Sequence, residues 1–168
     1  MMFALYERSP VGRLLLAAGE SGLTGLWMEG QKYFPVDVGP VTAGGQSCLV
    51  LTEAERWLDR YFAGERPELS RLKLSPAGSE FQRQVWSILC RIPYGEVRTY
   101  GEIAGEVAAL RRVKSMSPQA VGGAIGRNPI SIIIPCHRVV GSDGSLTGYA
   151  GGVERKQFLL TLERSRGL

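Results

Sequence analysis

TYGEIAGEVAALRRVKSMSPQAVGGAI, residues 99–125, is the stretch that decides how the second half of this chain folds. Thr99 followed three residues later by Glu102 is a capping box, in which hydroxyl and carboxylate satisfy each other's orphan amides at a helix start. Ile103 and Val107 carry that helix to about Leu110. Ser117 with Pro118 in the first helical position opens another, running to about Ile125. Two short helices in succession predict a helix-turn-helix, although the connection from Arg111 to Met116 exceeds the usual turn of about three or four residues. The run Ala120-Val121-Gly122-Gly123-Ala124 is a poor helix former, since each internal glycine costs about 1 kcal/mol relative to alanine. Two needs would select such small residues. One is close packing on a neighbouring helix. The other is entry into a DNA minor groove about 6 Å wide, closed to a helix of about 10 to 12 Å unless one side is bare.

Upstream, Ser79 can cap a helix whose apolar positions Phe81, Val85, Trp86, Ile88 and Leu89 form a stripe ending before Pro93 and Gly95. Ser75-Pro76 and Gly78 interrupt all periodicity, which places a domain boundary after residue 78. Before it, Phe3 to Tyr6, Leu14 to Ala18 and Leu23 to Trp27 are β-prone runs separated by turn residues, as in an antiparallel meander. Thr52 and Glu55 read as another capping box, followed by Ala54, Trp57, Leu58, Tyr61 and Phe62 at helical spacing up to Gly64. Downstream, Pro129 marks a turn before the apolar run Ile130 to Ile134. After Pro135-Cys136-His137-Arg138 come a glycine-rich loop, 141–152, and a last helix from about Val153 with Phe158, Leu159 and Leu162 inward. The expected class is α/β in the α+β sense: a small sheet with a helix over 1–78, then a mainly helical domain over 79–168.

The chain has 168 residues, 44% hydrophobic and 21% charged, a mixture that excludes disordered and fibrous classes. Its longest apolar runs fall far short of the roughly 20 residues of a membrane span, and no secretory signal is legible, so a cytoplasmic protein, or a nuclear one in a eukaryote, is expected. The net charge of +4 is unevenly placed: residues 1–78 hold 8 Lys and Arg against 9 Asp and Glu, residues 79–168 hold 12 against 7. The second half, at +5, is where a polyanion would bind. Cys48, Cys90 and Cys136 are few, distant and odd in number, which suits a reducing compartment. With one histidine in the chain, no metal site is expected.

Cys136 follows a proline and precedes that histidine, His137. A free cysteine is commonly inert core. A neighbouring imidazole that takes the thiol proton, directly or through water, would make it a nucleophile instead. In an extended strand the two side chains would point to opposite faces, so cooperation requires a bend or a bridging water. Glu163, on the last helix, is either a solvated acid or the group that fixes the tautomer of His137.

Ile134-Pro135-Cys136-His137-Arg138-Val139-Val140 resembles the active-site signature of the O6-alkylguanine-DNA alkyltransferases. The resemblance extends through Tyr100, Ala120 to Ala124, Asn128-Pro129, Tyr149-Ala150-Gly151-Gly152 and Glu163. It also covers the first half, which is similar to the family's ribonuclease-H-like domain. It implies DNA repair without a cofactor: a Glu163, His137, water, Cys136 relay forms thiolate, which takes the alkyl group irreversibly, one lesion per protein. Tyr100 would assist the departing base and Asn128 would brace the active-site segment. Tyr149 and Ala150 would close over the base, with main-chain groups near Cys136 and Val139 reading its edge. The implied partner is double-stranded DNA, bound by a monomer through the minor groove with the alkylated base flipped out. Gln119, Ala120, Gly122, Gly123, Ala124, Arg127 and Arg138 complete the implied DNA-binding set. Gln119 stands where the family usually has an arginine that fills the vacated base position; glutamine lacks its charge and stacks less well. A lesion-binding relative without activity is the alternative, disfavoured because those relatives lack the acceptor cysteine. A cysteine hydrolase lacks any oxyanion-hole signal here.

Overall fold

Leu14 to Ala18 is apolar at every position, which marks a strand covered on both faces. It lies in β2 (Leu14–Gly19), inside a sheet of order β3-β2-β1-β4 with β1 (Met2–Tyr6), β3 (Gly22–Met28) and β4 (Val41–Ala43). The first three strands form the expected antiparallel meander, and Gly19 pairs Gly22 across the tight turn. The fourth departs from it: β4 runs parallel to β1, with Phe3 opposite Val41. The computed structural model describes residues 1–43 and 48–165.

Helix α1 (Leu49–Phe62) turns Ala54, Trp57, Leu58 and Tyr61 inward as expected, with Leu51 added to the buried face and Phe62 only half-buried. Its start corrects the reading. The first turn begins at Leu49 after Cys48, and Thr52 with Glu55 forms no capping box. Leu51 is completely buried, which draws the earlier turn into the helix, and the Thr52 hydroxyl donates back to the Cys48 carbonyl at 3.1 Å. Tyr6 donates its hydroxyl to Asp59 at 2.7 Å and ties β1 to α1.

The free edge of β3 is covered twice. The Leu23 amide donates to the Lys73 carbonyl and the Ser75 amide to the Leu23 carbonyl, both at 2.8 Å. Further along, the Leu26 amide donates to the Pro129 carbonyl at 2.8 Å and the Ser131 amide to the Leu26 carbonyl at 2.9 Å. The chain thus divides into one unit of Met1–Ala77 plus Pro129–Ile133 and another of Gly78–Asn128 plus the residues from Ile134 onward. A returning segment that completes a sheet edge leaves no local signal, so the single boundary at 78 missed it.

In the second unit, α2 (Glu80–Leu89) starts on a full capping box, Ser79 with Gln82, and buries Val85, Trp86, Ile88 and Leu89. Helix α3 (Tyr100–Arg111) starts on the Thr99–Glu102 box and ends at Arg112 in the left-handed region. Helix α4 (Pro118–Gly126) is capped by the Ser117 hydroxyl. Trp86 donates Nε1 to the Ala124 carbonyl at 2.8 Å, locking α2 to α4. Two short strands, β5 (Arg98–Thr99) and β6 (Val139–Val140), pair in parallel. Helix α5 (Val153–Ser165) closes the unit with Lys156, Leu159, Leu160 and Glu163 buried. Phe158, expected inward, is 41% exposed and Leu162 only half-buried, so the buried face is rotated from the expected one and carries two charges.

Candidate active site

Two successive γ-turns deliver Cys136. The Ile133 amide donates to the Ser131 carbonyl at 2.8 Å around Ile132, whose φ of 70° is strained for a β-branched residue. The Cys136 amide donates to the Ile134 carbonyl at 2.8 Å around Pro135 at φ −82°, ψ 64°, the inverse form. Pro135 thereby supplies the bend. Residues Cys136–Arg138 continue as one 3-10 turn, so Cys136 and His137 do not alternate as in a strand. Asn128 braces the segment: its Nδ2 donates to the Ile134 carbonyl at 2.9 Å and to Cys136 Sγ at 3.2 Å.

His137 and Glu163 are both fully buried, with Nε2 to Oε2 at 2.5 Å. The meeting that spacing left open is therefore made. Burial pushes Glu163 up, but its bonds to His137 and Arg138 more than reverse that and hold it at about 2. Burial lowers His137, against the pull of Glu163. A neutral imidazole facing an ionised carboxylate carries its proton on Nε2, which leaves Nδ1, a buried atom with no partner among the described residues, as the acceptor. Burial pushes the Cys136 thiol up, opposed by the Asn128 amide and the Lys156 ammonium. The resting thiol is therefore protonated at neutral pH and needs a base to react.

Arg138 corrects the sequence reading. Expected on DNA, it is 7% exposed, with Nε to Glu163 Oε1 at 2.7 Å and Nη1 to the Ile92 carbonyl at 2.7 Å. Ala124 is also removed from the expected DNA-facing set: it is buried, its carbonyl engaged by Trp86. Gln119, Ala120, Gly123 and Arg127 are exposed at spacings that put them on one side of α4, and Gly122 is half-buried. Packing among the described residues does not explain Gly123, where an added Cβ meets none of them within 4 Å. At Gly122 it would make only ordinary contact with the Tyr100 ring at 3.9 Å. The Ser117 hydroxyl donates to Gln119 Oε1 at 3.1 Å.

The Tyr100 hydroxyl donates to the Thr147 carbonyl at 3.1 Å. Gly148 lies at φ 90°, and a Cβ there would sit 2.9 Å from that hydroxyl, so the close approach requires glycine. Tyr149 is buried with no partner for its hydroxyl among the described residues, and Ala150 is half-buried. The Val139 amide donates to the Cys136 carbonyl, and the Val139 carbonyl accepts from Lys156 Nζ at 2.5 Å. Sequence reasoning missed Lys156. It lies seven residues before Glu163 on the same helical face, a spacing that was visible, but charged residues are assigned to solvent by default.

A helix-turn-helix protein with a buried thiol next in sequence to a buried histidine–carboxylate pair is the class these features define. The model of the 6-O-methylguanine DNA methyltransferase ribonuclease-like domain matches residues 1–76, and that of the same family's DNA-binding domain matches 80–165. The methylated-DNA--protein-cysteine methyltransferase of Methanosarcina acetivorans is 47% identical over 98% of this chain and 99% of its own. That of Mycobacterium leprae is 48% identical over 95% and 91%. The crystal structure of Mycobacterium tuberculosis OGT in complex with DNA superposes with a TM-score of 0.83 at 43% identity, covering 99% of this chain and 94% of that one. The chain belongs to the 6-O-methylguanine DNA methyltransferase family.

Proposed function

We propose that this protein repairs DNA by moving the alkyl group of O6-alkylguanine onto Cys136, irreversibly and once per molecule. The observation that carries the reading is the buried Cys136, held by Asn128 next in sequence to a His137–Glu163 pair, in a chain of this family. His137 Nδ1 takes the thiol proton through a bridging water, and the imidazolium is held by Glu163. The thiolate attacks the alkyl carbon, the carbon–O6 bond breaks, and its electron pair leaves with guanine. Tyr100 turns its hydroxyl from Thr147 to the departing base and supplies a proton or hydrogen bond.

An alkyl group on a stacked base cannot reach a buried thiol, so the base is extruded. The bare side of α4 enters the minor groove, Gln119 fills the vacated position, and Arg127 contacts phosphate. Tyr149 and Ala150 cover the base, and the Val139 carbonyl, already accepting from Lys156, retains a lone pair for its edge. The positive balance of residues 79–168 supports duplex binding by this half. The protein acts as a monomer, without metal, in the compartment that holds the DNA, the cytoplasm where there is no nucleus. Among the described residues no helix is long and apolar enough to cross a membrane.

Titrating the protein with methyl-labelled O6-methylguanine duplex tests this. Label should move to protein up to one equivalent and stop. Continued turnover, release of free methanol, or binding with no label on protein contradicts it.

A further inference from the structure

His137 shares its carboxylate partner. The Glu163 oxygen that His137 does not use accepts from Arg138 Nε at 2.7 Å, and the same guanidinium spans to the Ile92 carbonyl at 2.7 Å and lies 5.6 Å from the Tyr94 ring centroid. A buried arginine fixed on three sides does more than neutralise one acid. Its Nε holds the carboxylate by one oxygen while Nη1 is anchored on Ile92, and its charge stands one residue away from His137. We propose that Arg138 is a positioning residue for alkyl transfer: it keeps Glu163 ionised and aligned on Nε2 while its positive charge keeps the imidazole neutral at rest, with Nδ1 ready for the Cys136 proton.

The charged and titratable groups around His137 are Glu163 and Lys156 from α5, Arg138 and Cys136 on its own turn. Around Arg138 they are Glu163, Cys90 at the end of α2, and Tyr94. Glu163 by itself would draw a proton onto His137. Arg138 and Lys156 oppose that draw and add to the effect of burial. If the ring were charged at rest, both its nitrogens would be donors and neither could accept from the thiol. The sharing of Glu163 thus spares the base for the moment of transfer. The inference rests on the alkyl-transfer reading for its purpose, but the charge relation can be tested without DNA.

His137 is the sole histidine of the chain, so the imidazole signals of 15N-histidine-labelled protein need no assignment. The wild type should show a neutral Nε2-protonated ring at pH 7. Arg138→Gln retains a donor for Glu163 and removes the charge. Its ring should protonate at higher pH, as expected for loss of a neighbouring like charge. Arg138→Lys keeps the charge and should titrate close to wild type. Single-turnover transfer should lose activity on the acid side at a correspondingly higher pH in Arg138→Gln and not in Arg138→Lys. A ring titration that does not move in folded Arg138→Gln overturns the proposal. So does an Arg138→Lys ring displaced from wild type, which decides the matter if Arg138→Gln does not fold. Absence of transfer in wild type with the predicted titrations intact would refute the alkyl-transfer reading and leave the charge relation standing.

Discussion

Asn128 Nδ2 donates to both the Ile134 carbonyl, at 2.9 Å, and Cys136 Sγ, at 3.2 Å. One amide at the end of the helix-turn-helix thus holds the backbone before Cys136 and favours the thiolate form of that residue.

Asn128→Ala should impair both roles. The Ile134 carbonyl keeps the Cys136 amide as a donor, so the larger loss is the bond to the thiolate, about 1.5 to 3 kcal/mol for a charged acceptor, and an equal loss of transition-state stabilisation would slow transfer roughly 10- to 160-fold. Because the amide lowers the thiol, its removal should also move the pH dependence of Cys136 alkylation by iodoacetamide to higher pH. Slower transfer with an unchanged iodoacetamide profile would reduce Asn128 to a backbone brace.

Glu163 and His137 should make the protein acid-labile in two windows. Glu163 falls from 4.5 to about 2 on folding, so its contribution is present above pH 4.5 and is lost as the pH falls toward 2. Its size is roughly 3 kcal/mol. His137 is lowered from 6.5, so its neutral burial begins to cost stability as the pH falls below 6.5. In urea unfolding at stepped pH, the stability gap between wild type and Glu163→Gln should narrow below pH 4.5. A gap that stays constant down to pH 2 would contradict the linkage.

Gly123 separates fold from function. Nothing within 4 Å obstructs a Cβ there, so Gly123→Ala should raise stability by about 1 kcal/mol through helix propensity. Gly123→Leu should fold but fail on duplex DNA while still reacting with free O6-benzylguanine, which needs no groove. Full duplex repair by Gly123→Leu would remove α4 from the groove.

Gln119 rests on the Ser117 hydroxyl and must leave it to enter a base stack. Gln119→Gly should slow duplex repair and leave the free-base reaction nearly unchanged, because extrusion costs a few kcal/mol that an intruding side chain offsets in part. Gln119→Arg should hold the flipped state at least as well. Equal duplex rates for wild type and Gln119→Gly would show a surface residue at a helix start.

The helix-turn-helix was legible because its signals are local: Thr99 with Glu102, and Ser117 with Pro118, act within one turn. Where a signal competes with burial, burial wins. Thr52 and Glu55 have the spacing of a cap, yet the buried Leu51 sets the helix start one turn earlier. The face of α5 was misread for the same reason, since Lys156 and Glu163 are buried only because distant groups receive them, Val139 in one case and His137 with Arg138 in the other. The parallel β4, the β5–β6 pair and the return of residues 129–133 to the β3 edge are pairings between distant segments, and no periodicity encodes them. Cys136 was visible as a candidate; its bend became definite only with the turns at Ile132 and Pro135.

Peptide mass mapping after one equivalent of O6-methylguanine duplex has reacted tests Cys136 as the acceptor. One added methyl should appear, wholly on the peptide containing Cys136, and none in Cys136→Ala, which should still bind the duplex. A methyl on the peptide of Cys48 or Cys90, or undiminished methylation of Cys136→Ala, would contradict it.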